Sequence, residues 1–343
     1  MKLPRILIAG THSGSGKTTV SCALLRAFTR RGLRAAAFKC GPDYIDPMFH
    51  KSVIGIPSRN LDAFLSGRSS VRKQLARNCA GADIAVIEGV MGLYDGISLR
   101  SDECSANDVA KLTDTPAVLV VNPGGMSLSA AALVEGFLNY RRNTVKAVIL
   151  NGETDVNYYR GIIERETGVR VLGTLPRVDG AAIGSRHLGL IAAGEIENLS
   201  QKLNLLAKAA IQNIDIGELL LIADSAPDVE DYPPERRVKY RVRIAVADDA
   251  AFCFRYDDGM DALKRQGAEL VRFSPLSDGD LPDNCSGLYL CGGYPELYLN
   301  ELSANTKLLR NIRKAVRSGL PTVAECGGFM YLHSYIDGLP FAG

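Results

Sequence analysis

The chain has 343 residues, with 40 basic and 38 acidic side chains, a formal net charge of +2 and no tryptophan. That length suits two domains, and 46% apolar with 23% charged residues is the balance of an ordinary globular protein with room for large cores. Near-neutral charge argues against a dedicated nucleic-acid binder, and every apolar run falls far short of the roughly 18 residues that a bilayer span requires.

In chain order, residues 5–9 read as a strand, then a glycine-rich loop and a helix over 17–31. The N-terminus MKLPRILIAG has neither the long apolar region nor the cleavage site of a signal peptide, so a cytosolic protein without a membrane partner is expected. Further strands are expected at 35–39, 84–88, 117–122, 147–151 and 169–174, with a helix over 70–78. Most are apolar runs without polar alternation, as in strands buried on both faces, and alternating β and α imply a doubly wound parallel sheet. Residues 194–240 change character. A helical stretch to about 213 is followed by the proline-bearing DSAPDVEDYPPERR, read as an interdomain linker over 226–237. A second α/β pattern starts at 241–247. It continues with a helix over 256–266, strands at 269–273, 287–290 and 321–325, a helix over 303–318, and a helix-like FMYLHSY. The domains are thus expected at 1–193 and 241–343, joined by a helix and linker over 194–240.

Eight cysteines include no C-x-x-C pair, so neither a zinc ribbon nor a redox pair is expected, and reduced, buried thiols are the default.

The run from Gly10 through Thr11, His12, Gly14 and Gly16 to Lys17-Thr18 follows a strand and opens a helix, the context of a P-loop. Loop amides and the helix N-terminus cradle phosphate oxygens. Lys17 is expected on the β/γ phosphates and the Thr18 hydroxyl on Mg²⁺, with Thr11, Gly14, Gly16 and Thr19 completing the nucleotide contacts. The match departs from G-x-x-x-x-G-K-[ST]: Thr11 stands where the first glycine belongs, and Gly10 sits one place earlier. His12 reads as a hydrogen-bonding loop residue.

Ligands of doubly wound sheets sit beyond the carboxyl ends of the strands. Glu88 ends the IAVIE strand, opposite the loop, where a carboxylate can bind Mg²⁺. Asp95 follows in a glycine-flanked loop. Lys39, Asp43, Tyr44 and Asp46 follow the second strand, and Asp62 follows Asn60-Leu61. A lone loop aspartate is ordinarily a turn former; this density of acids and glycines beside a nucleotide loop points to a site.

The strings GTHSGSGKTT, KCGPDYIDP, NLDAFL, EGVMGLYDG and SRHLGL resemble the N-terminal domain of the cobyrinic acid a,c-diamide synthase family. Its close relatives include hydrogenobyrinic acid and nickel-sirohydrochlorin a,c-diamide synthases, and the P-loop variant is similar to that of dethiobiotin synthetase. The resemblance implies activation of a substrate carboxylate by ATP and amidation of the acyl phosphate. By the same resemblance Thr18, Asp62 and Glu88 would hold Mg²⁺, and Lys39 would neutralise the reacting carboxylate and γ-phosphate. Asp43, Tyr44, Asp46 and Asp95 would position the tetrapyrrole or couple ATP cleavage to amidation. Two departures bear on the nucleotide or substrate pocket. Asn122 stands in place of the family's aspartate, and NGETDVNYY at 151–159 lacks its Gly-Ser and His.

In the second domain, Cys326 in AECGG follows a strand and precedes a helix, the elbow arrangement that exposes a nucleophile. The amides of Gly292 and Gly293, after another strand, read as an oxyanion hole with that of Gly327, and Cys291 as a structural thiol. This resembles a class I (triad) glutamine amidotransferase domain, implying L-glutamine as nitrogen donor. The family's base and acid come from a segment well downstream. The histidines here are His12, His50, His187 and His333, and His333 comes too early to match that base.

The expected architecture is therefore a dethiobiotin-synthetase-like parallel sheet followed by an amidotransferase-like α/β domain truncated at its C-terminus. The expected function is ATP- and glutamine-dependent amidation of the a- and c-acetate carboxylates of cobyrinic acid in corrinoid biosynthesis. Nickel-sirohydrochlorin is the alternative substrate, and a nucleotide-binding protein without glutaminase activity the alternative outcome. A ParA/MinD-like switch fits less well, because those proteins carry a lysine near the loop's start, where this chain has His12. A homodimer is expected because relatives of the first domain pair.

Overall fold

The computed structural model describes residues 1–181, 185–186, 189–190, 198–230, 232, 238 and 241–343. The chain divides into two compact units, Met1–Tyr232 and Pro233–Gly343.

The first unit contains strands β1 (Arg5–Gly10), β2 (Ala35–Cys40), β3 (Arg59–Leu61), β4 (Ile84–Glu88), β5 (Ala117–Val121), β6 (Val145–Asn151) and β7 (Arg170–Leu175). They form one parallel sheet in the order β3-β2-β4-β1-β5-β6-β7. Every residue of β1, β2, β4 and β5 is buried, as a parallel sheet covered on both faces demands. The helices are α1 (Lys17–Arg30), α2 (Ile45–Ile54), α3 (Arg68–Asn78), α4 (Ala106–Leu112), α5 (Ser129–Asn139), α6 (Val156–Thr167), α7 (Leu199–Asn213) and α8 (Ile216–Asp224). Strand side chains alternate between faces. Ile6 and Ile8 of β1 join the core built with α1, α2, α7 and α8, whereas Leu7 and Ala9 join the one built with α3, α4, α5 and α6. Two short strands, β8 (Ser185–Arg186) and β9 (Gly189–Leu190), pair antiparallel; His187 lies outside the described residues.

The segment read as helix and linker at 194–240 holds two helices, and the division between the units falls within it, after Tyr232. α7 packs on α1 and β7, and α8 on β1 and β7, so the first unit covers their apolar faces. The chain then stays on the first unit. Val229 is buried in the α3–α6 core and donates its amide to the Met1 carbonyl at 2.9 Å. Pro227 accepts from Arg5 Nη1 at 2.7 Å. Arg5 is only 1% exposed and also binds the carbonyls of Leu3, Thr113 and Asp114. Residues 191–197 of the expected helix, and 231 and 233–237 of the expected linker, lie outside the described residues.

The second unit contains β10 (Val242–Ala247), β11 (Ala268–Phe273), β12 (Gly287–Leu290) and β13 (Thr322–Ala324), parallel in the order β11-β10-β12-β13. Its helices are α9 (Asp257–Arg265), α10 (Leu299–Ala304), α11 (Thr306–Arg317) and α12 (Gly327–Tyr331). The single helix expected over 303–318 is two, because Asn305 breaks it. The Asn305 side chain accepts from the Leu308 amide and donates to the carbonyls of Pro275 and Asp278, so it caps α11 and ties it to a loop. The helix expected through FMYLHSY stops at Tyr331. A hairpin of β14 (Tyr335–Ile336) and β15 (Leu339–Pro340) follows, turning at Asp337-Gly338 with both φ positive (48° and 80°), the backbone of a tight two-residue hairpin loop. Among the described residues no helix is long and apolar enough to cross a membrane.

Candidate functional site

The loop between β1 and α1 is shaped by glycines. A Cβ on Gly10 would lie 2.1 Å from Ser15 Oγ and 2.9 Å from the Lys17 stem, both closer than non-bonded atoms allow. Gly10 thus meets the close approach that the loop requires, although Thr11 occupies the expected position. Gly14 and Gly16 have positive φ (85° and 95°), and Gly16 is the N-cap of α1. Lys17 Nζ donates to the His12 carbonyl at 3.0 Å, while Thr11 Oγ1 and His12 Nδ1 are 2.8 Å apart. Ser15 Oγ is buried in the loop without a hydrogen-bond partner among the described residues. Thr19, on the first turn of α1, is half-buried.

The acidic part of the site follows from strand register. Lys39 pairs with Glu88 across β2 and β4, and Glu88 with Ile8 across β4 and β1. Residues paired in parallel strands project to the same face, so Lys39 and Glu88 both point toward α1 and α2. Lys39 Nζ donates to Glu88 Oε1 (3.0 Å), to Asp46 Oδ2 (2.5 Å) and to the Gly89 carbonyl (3.0 Å), with Asp43 Oδ2 at 3.8 Å. The Thr18 hydroxyl donates to Glu88 Oε1 at 2.6 Å and lies 3.3 Å from Asp46 Oδ1.

From the sequence no element is expected directly after the second strand; from Ile45 on these residues form α2. Asp43 Oδ1 accepts the amides of Ile45 and Asp46, supplying the missing helix-start acceptor, and Pro47 lies in the first turn, where it costs no hydrogen bond. Tyr44 stands at the helix boundary, half-buried. Helical spacing then puts Asp46 and His50 on one face. His50 is fully buried, with Nε2 at 2.7 Å from Glu88 Oε2 and Nδ1 at 3.0 Å from Ser58 Oγ. Its part in the site escaped the sequence reading; the four-residue spacing from Asp46 was the available signal.

Burial alone would raise the Glu88 carboxyl, but the Lys39 ammonium and the His50 hydrogen bond hold it well below the usual carboxylate range. Asp46 goes the other way. Burial, reinforced by the charge of Glu88, pushes it well above that range despite Lys39. Burial also opposes the charge on Lys39, yet Glu88, Asp46 and Asp43 more than compensate and raise it above an ordinary lysine. Lys17 is lowered by burial and by neighbouring Lys39.

One hydroxyl and two carboxylate oxygens therefore converge beside the phosphate loop. Among the described residues no group of three or more His, Cys, Asp or Glu has metal-holding geometry. A donor set of Thr18, Asp46 and Glu88 is instead all-oxygen and sparse, the kind that suits a small hard cation keeping water and phosphate as its remaining ligands. Asp62 is buried after β3, and its Oδ1 accepts the amides of Phe64 and Leu65 at 2.9 Å, a turn-forming role. Asp95 is exposed; its Oδ2 accepts the Gly92 amide at 2.7 Å, and Gly92 lies against the Thr11 carbonyl of the phosphate loop. The two divergent positions fall together: Asn151 Nδ2 donates to the Ser15 carbonyl at 3.0 Å, and Asn122 Oδ1 faces Gly152.

In the second unit Cys326 follows β13 and caps α12 with φ 50° and ψ −113°, outside the regions an L-residue prefers. Its thiol residue is exposed, whereas Cys22, Cys40, Cys79 and Cys291 are buried and Cys104, Cys253 and Cys285 half-buried, all unpaired in disulfides. Cys291 binds the Ala247 carbonyl, and burial pushes its thiol up to about 11, as suits a structural residue. Gly292 lies against Cys326, and Gly327 against Pro295 and the Gly293 amide, so the three expected oxyanion-hole glycines gather at the elbow. The His333 ring packs edge-on to Phe329 at 5.0 Å.

Residues 6–190 match the CobQ/CobB/MinD/ParA nucleotide binding domain, and residues 243–339 the CobB/CobQ-like glutamine amidotransferase domain. Over the whole chain, identity is 41% to the cobyrinate a,c-diamide synthase of Thermoplasma volcanium, of which 76% is covered. It is 41% to that of Listeria monocytogenes over 97% of the chain and 75% of the relative. For that of Salmonella typhimurium it is 42% over 96% of the chain and 73% of the relative.

Proposed function

Because this chain belongs to the cobyrinate a,c-diamide synthase family, we propose that it amidates the a- and c-acetate carboxylates of cobyrinic acid, using ATP and glutamine. The observation that carries this reading is the meeting of Thr18, Lys39, Asp46 and Glu88 beside the loop of Lys17. Phosphorylating a carboxylate brings two anions together, and two lysines flanking that place offset the repulsion. Thr18, Glu88 and Asp46 would hold Mg²⁺, which would add charge neutralisation on the phosphates. Lys17 leaves the His12 carbonyl for phosphate oxygens. Lys39 holds the incoming carboxylate against the γ-phosphate, and Asp43 fixes the start of α2 and so the position of Asp46. Asp62 supports the metal site by shaping the turn after β3.

In the second unit Cys326 attacks the glutamine amide carbon, and the amides of Gly292, Gly293 and Gly327 receive the developing oxyanion. Ammonia released there displaces phosphate from the acyl phosphate. His333, the histidine of the second unit, packs edge-on against Phe329. Glutamine and free ammonium are the two nitrogen sources to compare. The test is mass analysis of cobyrinic acid and of nickel-sirohydrochlorin after incubation with ATP and either nitrogen source. Two amidations on cobyrinic acid alone are expected. Amidation of nickel-sirohydrochlorin alone overturns the substrate assignment, and glutamine use that survives Cys326→Ala overturns the reading of the second unit.

A further inference from the structure

We infer that the cleft walled by residues 91–101 and by Tyr140-Arg141 seats the face of the tetrapyrrole macrocycle during amidation. The cleft has a volume of about 520 Å³ and is lined by Met91, Asp95, Ile97, Leu99, Tyr140 and Arg141, among others. Four of these are large apolar side chains held in water: Leu99 is fully exposed, Tyr140 67%, Ile97 55% and Met91 44%. Single exposed apolar residues need no explanation, but a cluster of four around one cleft marks a binding surface.

The cluster is built, not loose. The Leu93 amide donates to the Gly10 carbonyl at 2.8 Å and that of Ile97 to the Glu103 carbonyl at 3.1 Å. Tyr94 Oη donates to the Phe137 carbonyl and accepts from Asn143. A Cβ on Gly96 would lie 2.2 Å from the Glu103 carbonyl, so the loop closes as tightly as a glycine permits. Met91 holds φ at 45°, a backbone that turns its side chain outward at an energetic cost.

The two ends of the cleft differ in charge. At one end Asp95 binds the Gly92 amide against the Thr11 carbonyl, so this wall is the flank of the phosphate loop. At the other, the Arg141 guanidinium lies 5.3 Å over the Tyr140 ring, donates to the Arg100 carbonyl at 3.2 Å and stands 3.7 Å from Asp102 Oδ1, a half-exposed cation on the rim. A broad apolar face with basic residues at its far edge and phosphate chemistry at its near edge fits a flat conjugated ring bearing peripheral carboxylates. One carboxylate reaches the γ-phosphate past Asp95 while another meets Arg141.

The identity of this ligand rests on the amidation proposal; its place rests on the cleft. The chain has no tryptophan, so Leu99→Trp installs a single reporter at a fully exposed position. Cobyrinic acid, which absorbs visible light, is expected to quench that tryptophan saturably, and ATP alone to leave it unchanged. In a Leu99→Asp, Arg141→Ala variant the KM for cobyrinic acid is expected to rise at least tenfold, with the KM for ATP within twofold of wild type. Unquenched tryptophan in an enzyme that still amidates cobyrinic acid overturns the cleft and leaves the function standing. Quenching by ATP alone places the nucleotide there instead and overturns the cleft. Quenching by the macrocycle without amidation upholds the cleft and sinks the proposed reaction.

Discussion

His50 Nε2 and Glu88 Oε2 lie 2.7 Å apart, and neither side chain meets solvent. Ser58 bridges the other ring nitrogen to the Ala37 carbonyl, at 3.0 and 3.1 Å. A relay of hydrogen bonds thus runs from the backbone of β2 to the carboxylate facing Thr18. It fixes which Glu88 oxygen is left for the reaction.

Removing that support loosens the carboxylate without deleting it. His50→Ala is expected to raise the magnesium concentration needed for half-maximal activity about 10- to 100-fold, the usual effect of losing a residue behind a metal ligand. His50→Gln restores part of it. Superimposable magnesium titrations for wild type and His50→Ala rule out the positioning role.

Glu88 and Asp46 make opposite pH signatures. A carboxyl held low stabilises the fold above the ordinary carboxylate range and loses that contribution as pH falls through its folded value. A carboxyl held high stabilises below that range and loses its contribution as pH rises. Glu88→Gln should therefore cost about 3 kcal/mol near neutrality, with the deficit shrinking toward acid. Asp46→Asn should gain on wild type as pH rises. Urea unfolding from acid to mildly alkaline pH checks both, and parallel curves for the two variants contradict the assignment.

Gly16 has φ +95°, and a Cβ there meets Asn151 Nδ2 at 2.1 Å. Gly16→Ala is expected to weaken ATP binding about tenfold or more, since the left-handed backbone alone costs about 1–2 kcal/mol. Adding Asn151→Ala removes the collision but not the backbone cost, so calorimetry should find only partial recovery. Full recovery in the double variant means that the contact, not the conformation, selects glycine.

The backbone at Cys326 (φ 50°, ψ −113°) belongs to the class of strained positions that cost about 1–3 kcal/mol. Cys326→Gly relieves it and Cys326→Ala does not. The glycine variant should unfold at the higher temperature even though both abolish glutamine use. Equal melting temperatures remove strain from the account of this elbow.

The parallel sheet, the phosphate loop and the ends of β2 and β4 are legible in the sequence because burial on both faces forces uninterrupted apolar runs. Whatever polar residue ends such a run, Lys39 or Glu88, stands out. His50 is not legible the same way. Its place depends on 45–54 being a helix, and the Pro47 near its start and the Asp43 cap outside it make that stretch read as a loop. α7 and α8 read as a connector because their partner faces lie on α1, β1 and β7, distant in sequence. The gap at Asn305 is invisible to periodicity, since α10 and α11 continue one apolar pattern across a capped break.

Lys39 has a consequence beyond pairing. Its ammonium is a counter-ion that cannot diffuse away, tethered to β2 among Glu88, Asp46 and Asp43. An ion entering this cluster has to displace an ammonium that three carboxylates already surround. The buried acids thus carry their own counter-charge before any nucleotide arrives.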